Sequence, residues 1–345
     1  MQDINIGKLR EMCFRQSKIP GEFMLQLRTP GGTFRADLAD IVQEVANKYG
    51  DGRIHLGTRQ TLDITGIKYE YVDEVLKLIE PFIHEIENEA CGVEMETKNG
   101  YPYIGPRNVM ACIGGDHCIK AAQKSQEMAR KIEKIIYPAP YHVKIAVSGC
   151  PNDSTKGQFS DFGIIGVTKP VYDQDRCIGC EGCVEKCEQA ATRVLSLNAE
   201  THKIDKDPCC CVGCGECVSR CPTGAWRRPD AQMWNIVLGG RSGKQYPRMG
   251  QMFAKWLTTD SVLQIFSNWH KFSEWVMGGE PKYLHGGHLI DIAGYQAFKE
   301  HILDGVNLNP EALISENVLW TEKEYRSNIH LKPLSKHKKV KTPKE

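Results

Sequence analysis

Ten of the 15 cysteines in this chain fall between Cys177 and Cys221, and that crowding constrains the fold more than any other feature. Eight of them form two runs, Cys177-x2-Cys180-x2-Cys183-x3-Cys187 and Cys211-x2-Cys214-x2-Cys217-x3-Cys221-Pro222. A disulfide framework would spread cysteines over a small exported domain. The opening MQDINIGKLREMCFRQSK has no apolar signal core, so a reducing cytoplasm is expected. Structural zinc pairs its cysteines with a longer gap and would leave the third thiol of each run surplus. The spacing instead suits cubes of iron and sulfide, where three thiolates on one loop hold three irons and the fourth crosses to the other cube. The expected ligand sets are Cys177, Cys180, Cys183 and Cys221 for one [4Fe–4S] cluster, and Cys211, Cys214, Cys217 and Cys187 for the other. Gly179, Gly182, Gly213 and Gly215 let the backbone approach the sulfides. Glu188 stands where the first run would usually have Pro, and it touches no ligand position. Cys209 and Cys210 read as spare thiols, and Cys13 and Cys91 as buried or incidental ones.

The rest of the 345 residues is ordinary globular material, with 41% hydrophobic and 25% charged residues, enough for two or three domains. Its 44 basic and 43 acidic side chains leave a net charge of +1, so no bulk field recruits nucleic acid or an anionic membrane. No apolar run is long enough to span a bilayer. Phe23, Leu25 and Leu27 alternate as a strand ended by Pro30-Gly31-Gly32, and the spacing from Leu38 to Tyr49 predicts a helix stopped by Gly50. Ile54, Leu56, Leu62 and Ile64 suggest a hairpin, and Val72, Val75, Leu76 and Ile79 a helix that meets Pro81. Further on, Val143 to Val147 and Trp234 to Leu238 read as strands, and Met249–Leu257, Val262–Met277 and Tyr295–Leu303 as helices. The resulting division is 1–90, 91–167, a cysteine-rich unit at 168–228, 229–330, and a solvated Lys- and Pro-rich tail at 331–345.

A second set of thiols lies outside the cluster: Cys112-x5-Cys118, then Ser148-Gly149-Cys150-Pro151-Asn152-Asp153-Ser154. With Thr58-Arg59-Gln60, Arg107-Asn108-Val109 and Leu284-His285-Gly286-Gly287-His288-Leu289-Ile290-Asp291, the sequence resembles the sirohaem-dependent sulfite and nitrite reductases over nearly its whole length. The resemblance implies an α+β fold in which ferredoxin-like halves cradle a sirohaem, with a dicluster ferredoxin domain inserted. It implies three [4Fe–4S] clusters, two of ferredoxin type and one coupled to sirohaem through Cys112, Cys118 and Cys150. Where the family pattern asks for a fourth Cys this chain has Ser154, whose hard oxygen is a poorer partner for iron than a soft thiolate.

The resemblance also places Arg59, Arg107 and Lys144 over the sirohaem as groups for substrate and protons, with His142 where relatives carry a second lysine. Arginine offers a charged fork to an oxyanion, while lysine and imidazole can carry protons. On residue type alone, each reads as a surface charge. Gly239-Gly240-Arg241-Ser242-Gly243-Lys244 lacks the Gly and Ser/Thr positions of a nucleotide loop; with the resemblance, Arg241 and Lys244 are expected to hold sirohaem carboxylates, the alternative being a plain surface turn. His285-x2-His288 encloses two glycines, which disfavour a helix, and reads as packing or polar anchoring. The expected activity is six-electron reduction of sulfite to hydrogen sulfide; nitrite reduction, or a carrier that lost sirohaem coupling through Ser154, are the alternatives. No Gly-x-Gly-x-x-Gly follows a strand, so the electrons must come from partners, which the resemblance gives as a flavoprotein and a further iron–sulfur subunit.

Overall fold

The computed structural model describes residues 4–86, 107–137, 139–190, 192–207, 210–242, 247–280 and 284–318. Cys91, Cys209, Gly243, Lys244 and the 331–345 tail lie outside the described residues.

The chain opens with helix α1 (Ile6–Glu11) and an antiparallel sheet of β1 (Phe14–Gln16), β2 (Glu22–Leu27), β3 (Ile54–Leu56) and β4 (Leu62–Lys68), in the order β1-β2-β4-β3. In β2 the alternation of Phe23, Leu25 and Leu27 turns one face inward. That face packs on α2 (Ala39–Lys48) and α3 (Val72–His84), through Val42, Val45, Val75 and Ile79. Helix α3 runs through Pro81.

A second sheet has six strands in the order β14-β13-β12-β7-β6-β5. These are β5 (Met110–Ala111), β6 (Ile145–Ser148), β7 (Phe162–Val167), β12 (Met233–Leu238), β13 (Gln251–Thr258) and β14 (Leu313–Ile314). Strands β5, β6 and β7 are parallel and the remaining pairs antiparallel. Helices α4 (Ser125–Ile136), α7 (Thr259–Met277) and α9 (Tyr295–Leu303) close its core, where Phe162, Trp269, Phe272 and Phe298 meet edge to face.

Between β7 and β12, which are paired neighbours with Val167 opposite Met233, the chain makes a single excursion. Its neck is a ribbon of β8 (Val171–Tyr172) and β11 (Trp226–Arg227). It contains α5 (Gly182–Gln189), the hairpin β9 (Leu195–Leu197) and β10 (Ile204–Lys206), and α6 (Glu216–Arg220). Almost all the clustered cysteines lie in this excursion, on a small core of their own around Trp226.

Two sequence expectations are corrected. Met249–Leu257 is not a helix but contains most of β13. Register shifts against β12, with Trp256 at φ +60°, bury Phe253, Ala254, Trp256 and Leu257 as doublets, which imitates helical spacing. His285-Gly286-Gly287-His288 does enter a helix, α8 (Gly286–Ala293). Its first turn is closed by the His285 N–H donating to His288 Nδ1 at 3.2 Å and the His288 N–H donating to His285 O at 2.8 Å. The glycines are needed for close approach: a Cβ on Gly287 would collide with the Arg248 guanidinium.

Candidate functional site: thiol clusters and a basic pocket

The two ferredoxin-type runs fold so that each quartet surrounds its own cavity. One cavity, of about 280 Å³, is lined by Cys177, Cys180, Cys183 and Cys221. The other, of about 360 Å³, is lined by Cys187, Cys211, Cys214 and Cys217. Trp226 walls both. Helix α5 carries Cys183 and Cys187 from one cavity to the other, the crossover that the x3 spacing requires. The loops depend on left-handed glycines. Gly213, at φ +70°, has Val167 and Trp256 where a Cβ would have to go, at 2.8 and 2.9 Å. Burial pushes the Cys217 thiol up to about 12, with Cys214 and Cys211 adding to the shift, and burial also raises Cys183 and Cys214. Four soft donors crowded in an apolar cavity, costly to ionise alone, fit a thiolate-held metal cluster.

The Cys112, Cys118 and Cys150 thiols gather beyond the trailing ends of β5 and β6. Cys112 Sγ accepts the Gly149 N–H at 3.1 Å and lies 3.2 Å from Ser125 Oγ. Burial raises the Cys150 thiol, and proximity to Cys112 and Cys118 raises it further. The Cys-x5-Cys loop needs Gly114, since a Cβ there would collide with Ser125 Oγ. Ser154 is exposed, and the hydrogen bonds that hold its turn are instead those that Asp153 Oδ1 accepts from the Ser148 hydroxyl and the Gly157 N–H.

The second quartet abuts this site. Thr168 N–H donates to Gly213 O at 2.9 Å, and Arg228 Nη1 donates to Ala121 O at 3.1 Å. Lys120 pairs with Glu216 at 2.5 Å and feels the charge of both Cys214 and Cys150.

The basic residues gather at the opposite, leading ends of the same strands. His142 and Lys144 precede β6, Arg107 precedes β5, and Arg59 sits in the β3–β4 turn. The Arg59 guanidinium donates to Asn108 O at 3.2 Å and Ile145 O at 2.5 Å. Asn108 Nδ2 returns bonds to Thr29 O, Arg59 O and Gln60 O at 3.1, 2.9 and 3.3 Å. Gln60 pairs both backbone groups of Ala111, accepting at 2.8 Å and donating at 2.7 Å, as a strand neighbour would. The surface-charge reading of these residues is therefore overturned for His142, which is buried, while Arg59 is half-buried and tied to backbone carbonyls. Burial draws Arg59 down to about 10, with Asp161 opposing and Arg107 and Arg28 adding, so it stays charged at neutral pH.

Burial drives His142 down to about 3, opposed by Asp161 and reinforced by Arg107, His285 and Lys144. The unfolded chain, with its imidazole near 6.5, therefore binds this proton first, and stability falls as pH drops from about 6.5 toward 3. His142→Gln is expected to flatten that dependence, as read by urea unfolding at pH 7 and pH 5. An unchanged slope would contradict the neutral, buried imidazole.

No sequence motif joins Asp161 to His285, which stand 124 residues apart. Only the parallel register, which sets Phe162 beside Ile145, brings Asp161 to Lys144. Arg241 is buried and forms an antiparallel bridge with Arg248, and both guanidinium groups approach Asp291, at 3.7 and 3.1 Å.

Two thiol quartets, a third group of thiols and a cluster of basic residues thus stand on one α+β scaffold, the equipment of an oxidoreductase. The chain belongs to the nitrite and sulphite reductase family: residues 103–308 match the nitrite and sulphite reductase 4Fe-4S domain, and residues 15–82 the nitrite/sulfite reductase ferredoxin-like half domain. It is 47% identical to the C-subunit of anaerobic sulfite reductase from Salmonella typhimurium, over 96% of this chain and 98% of that one. It is 31% identical to the coenzyme F420-dependent sulfite reductase of Methanocaldococcus jannaschii, over 52% of this chain and 27% of that one. The fold is shared with dissimilatory sulfite reductase I, with a TM-score of 0.62 at 16% identity, covering 89% of this chain and 74% of that one. Among the described residues no helix is long and apolar enough to cross a membrane.

Proposed function

We propose that this chain is the catalytic subunit of a sirohaem- and iron–sulfur-dependent reductase that converts sulfite to hydrogen sulfide. The observation that carries the reading is the abutment of the second thiol quartet on the Cys112, Cys118 and Cys150 site through Lys120 and Glu216. The first quartet, with Cys180 exposed, then faces outward to an electron donor. Bound in these places, three [4Fe–4S] clusters would supply electrons singly, and the sirohaem iron would supply the site that holds the sulfur of sulfite. Arg241 and Lys244 are assigned to the sirohaem carboxylates, with the buried Arg241–Arg248 pair supporting the first of them. Arg59, Arg107 and Lys144 bind the oxyanion, and His142 delivers protons as its oxygens leave as water.

Strand β6 is buried along its whole length, and its four residues alone hold the basic end and the thiol end about 13 Å apart. One chain therefore cannot set both ends against the same small substrate. Two copies join instead, with the basic end of one facing the thiol end of the other. Edge strand β3, which exposes Ile54 and Leu56 just before the Arg59 turn, supports such a contact. The electrons come from a flavoprotein and an iron–sulfur subunit in the cytoplasm, since no nucleotide fingerprint supplies them here. Anaerobic turnover of sulfite against nitrite with a reduced viologen tests the assignment. Sulfite is expected to be preferred, and Arg59→Ala to lower kcat/KM by about 100-fold, as loss of a charge-assisted contact does. Absence of sulfite turnover in protein with full cofactor content would overturn it.

A further inference from the structure

Reduction of the sulfite dianion to hydrogen sulfide and three waters consumes six electrons and eight protons, so a single proton donor must be reloaded several times per turnover. His142 is poorly placed for that, because it is 4% exposed and shut off from solvent. A second imidazole stands against it. The His285 ring meets the His142 ring edge to face, with centroids 5.3 Å apart at 82°. His285 Nδ1 lies 3.3 Å from Asp161 Oδ1, and its side chain keeps 17% exposure while that of Asp161 has none. One nitrogen of each ring and one oxygen of the Asp161 carboxylate all lie within 4.8 Å of one another.

Asp161 is held rigidly for this task. Its Oδ1 accepts the Gly286 N–H at 2.8 Å, and its Oδ2 accepts the Lys144 N–H at 2.8 Å. The carboxylate is thus pinned at once to the leading end of β6 and to the first turn of α8. His285 is pinned from its other side by the cap it shares with His288.

We propose that His285, oriented by Asp161, is the group that reloads the sulfite pocket with protons from solvent. The carboxylate accepts the Nδ1–H of His285 and fixes its tautomer, which leaves Nε2 to take a proton from water. The resulting imidazolium is stabilised by the adjacent carboxylate, hands a proton on toward His142 and the departing oxygen, and returns neutral for the next one. Asp161 is a positioning residue. The groups facing the pair are Lys144 and Arg107 from the leading ends of β6 and β5, Arg59 from the β3–β4 turn, and His288 on α8 with Arg241 behind it. That concentration of cations favours an arriving anion and disfavours a divalent metal ion among the two histidines and the aspartate.

The inference rests on the reading that this pocket receives sulfite, and the test separates the two. In anaerobically prepared holoprotein, His285→Gln is expected to lower kcat about 10- to 100-fold, the range for loss of general acid catalysis, while KM moves less than about threefold. Its kcat–pH profile should lose a limb, and imidazole added to His285→Gly should restore part of the rate. Asp161→Asn should behave alike; if it does not fold, His285→Gln carries the test alone. Titrating sulfite in buffers of unlike ionisation enthalpy counts protons taken up on binding. Uptake is expected in the natural protein and not in His285→Gln at similar affinity. Failure of sulfite to bind overturns the proposed function and the relay together. Binding and turnover with His285→Gln indistinguishable in kcat, pH profile and proton uptake overturns the relay alone. So does a rate loss that merely tracks lost sirohaem, or a stoichiometric non-iron metal bound at the triad.

Discussion

Cys150→Ala is expected to abolish sulfite reduction, with a loss of at least about 10³-fold, while the protein keeps the iron held by its two ferredoxin-type quartets. Cys150 is buried at the trailing end of β6, in a turn tied by Asp153 to Ser148 and Gly157 rather than by the thiol itself. Removing one sulfur therefore leaves the scaffold intact and removes one ligand of the third thiol site. Iron and sulfide analysis beside an absorption spectrum reads the outcome: the iron–sulfur shoulder persists and the sirohaem bands vanish. The partner experiment is Ser154→Cys. The side chain at that position is exposed and unused by its turn, so a thiol can be introduced there without disturbing packing. If a thiolate at this corner strengthens cluster retention, Ser154→Cys raises iron content or sirohaem occupancy. Wild-type turnover in Cys150→Ala would remove the third thiol site from the account.

Glu133→Gln is expected to cost about 3–5 kcal/mol of stability, the range for breaking a buried ion pair from one side. Glu133, fully buried on α4, pairs with Arg28 just after β2 and accepts the Val109 N–H at 3.0 Å. The Arg28 guanidinium also lies 4.5 Å from the centre of the Tyr137 ring. A glutamine can keep the backbone bond, but it leaves a buried guanidinium without its counter-charge. The pair joins the N-terminal sheet to the central one beside Asn108, which holds the turn that carries Arg59. The lost stability should therefore come with a weaker grip on the oxyanion. Urea unfolding measures the first effect and the KM for sulfite the second. Arg35→Ala is the control: its pairs with Asp37 and Glu85 leave the arginine more than half exposed, and its loss should cost less than about 1 kcal/mol.

The ferredoxin-type insert was legible down to which four cysteines line each of its two cavities, because that grouping is written in local spacing and both quartets share one short stretch of chain. The N-terminal strands and helices were legible from periodicity, since each buries one face only. Strand β13 was not, because a bulge at Trp256 shifts its inward residues into pairs. Helix α8 was not, because its glycines answer to Arg248 and Asp161 across the fold, and a cap between two histidines offsets their poor propensity. The basic residues could be named from their motifs, but their burial and their distance from the thiols could not. Both follow from the pairing of β6 with β7, which no local pattern records. Asp161 was invisible for the same reason.

The most direct measurement is a count of iron and tetrapyrrole in anaerobically purified full-length protein, by metal analysis and absorption spectroscopy. The account predicts about twelve non-haem irons per chain, four for each of three cubes, together with one sirohaem. Protein carrying only the roughly eight irons of the two quartets, with no tetrapyrrole bands, would contradict it.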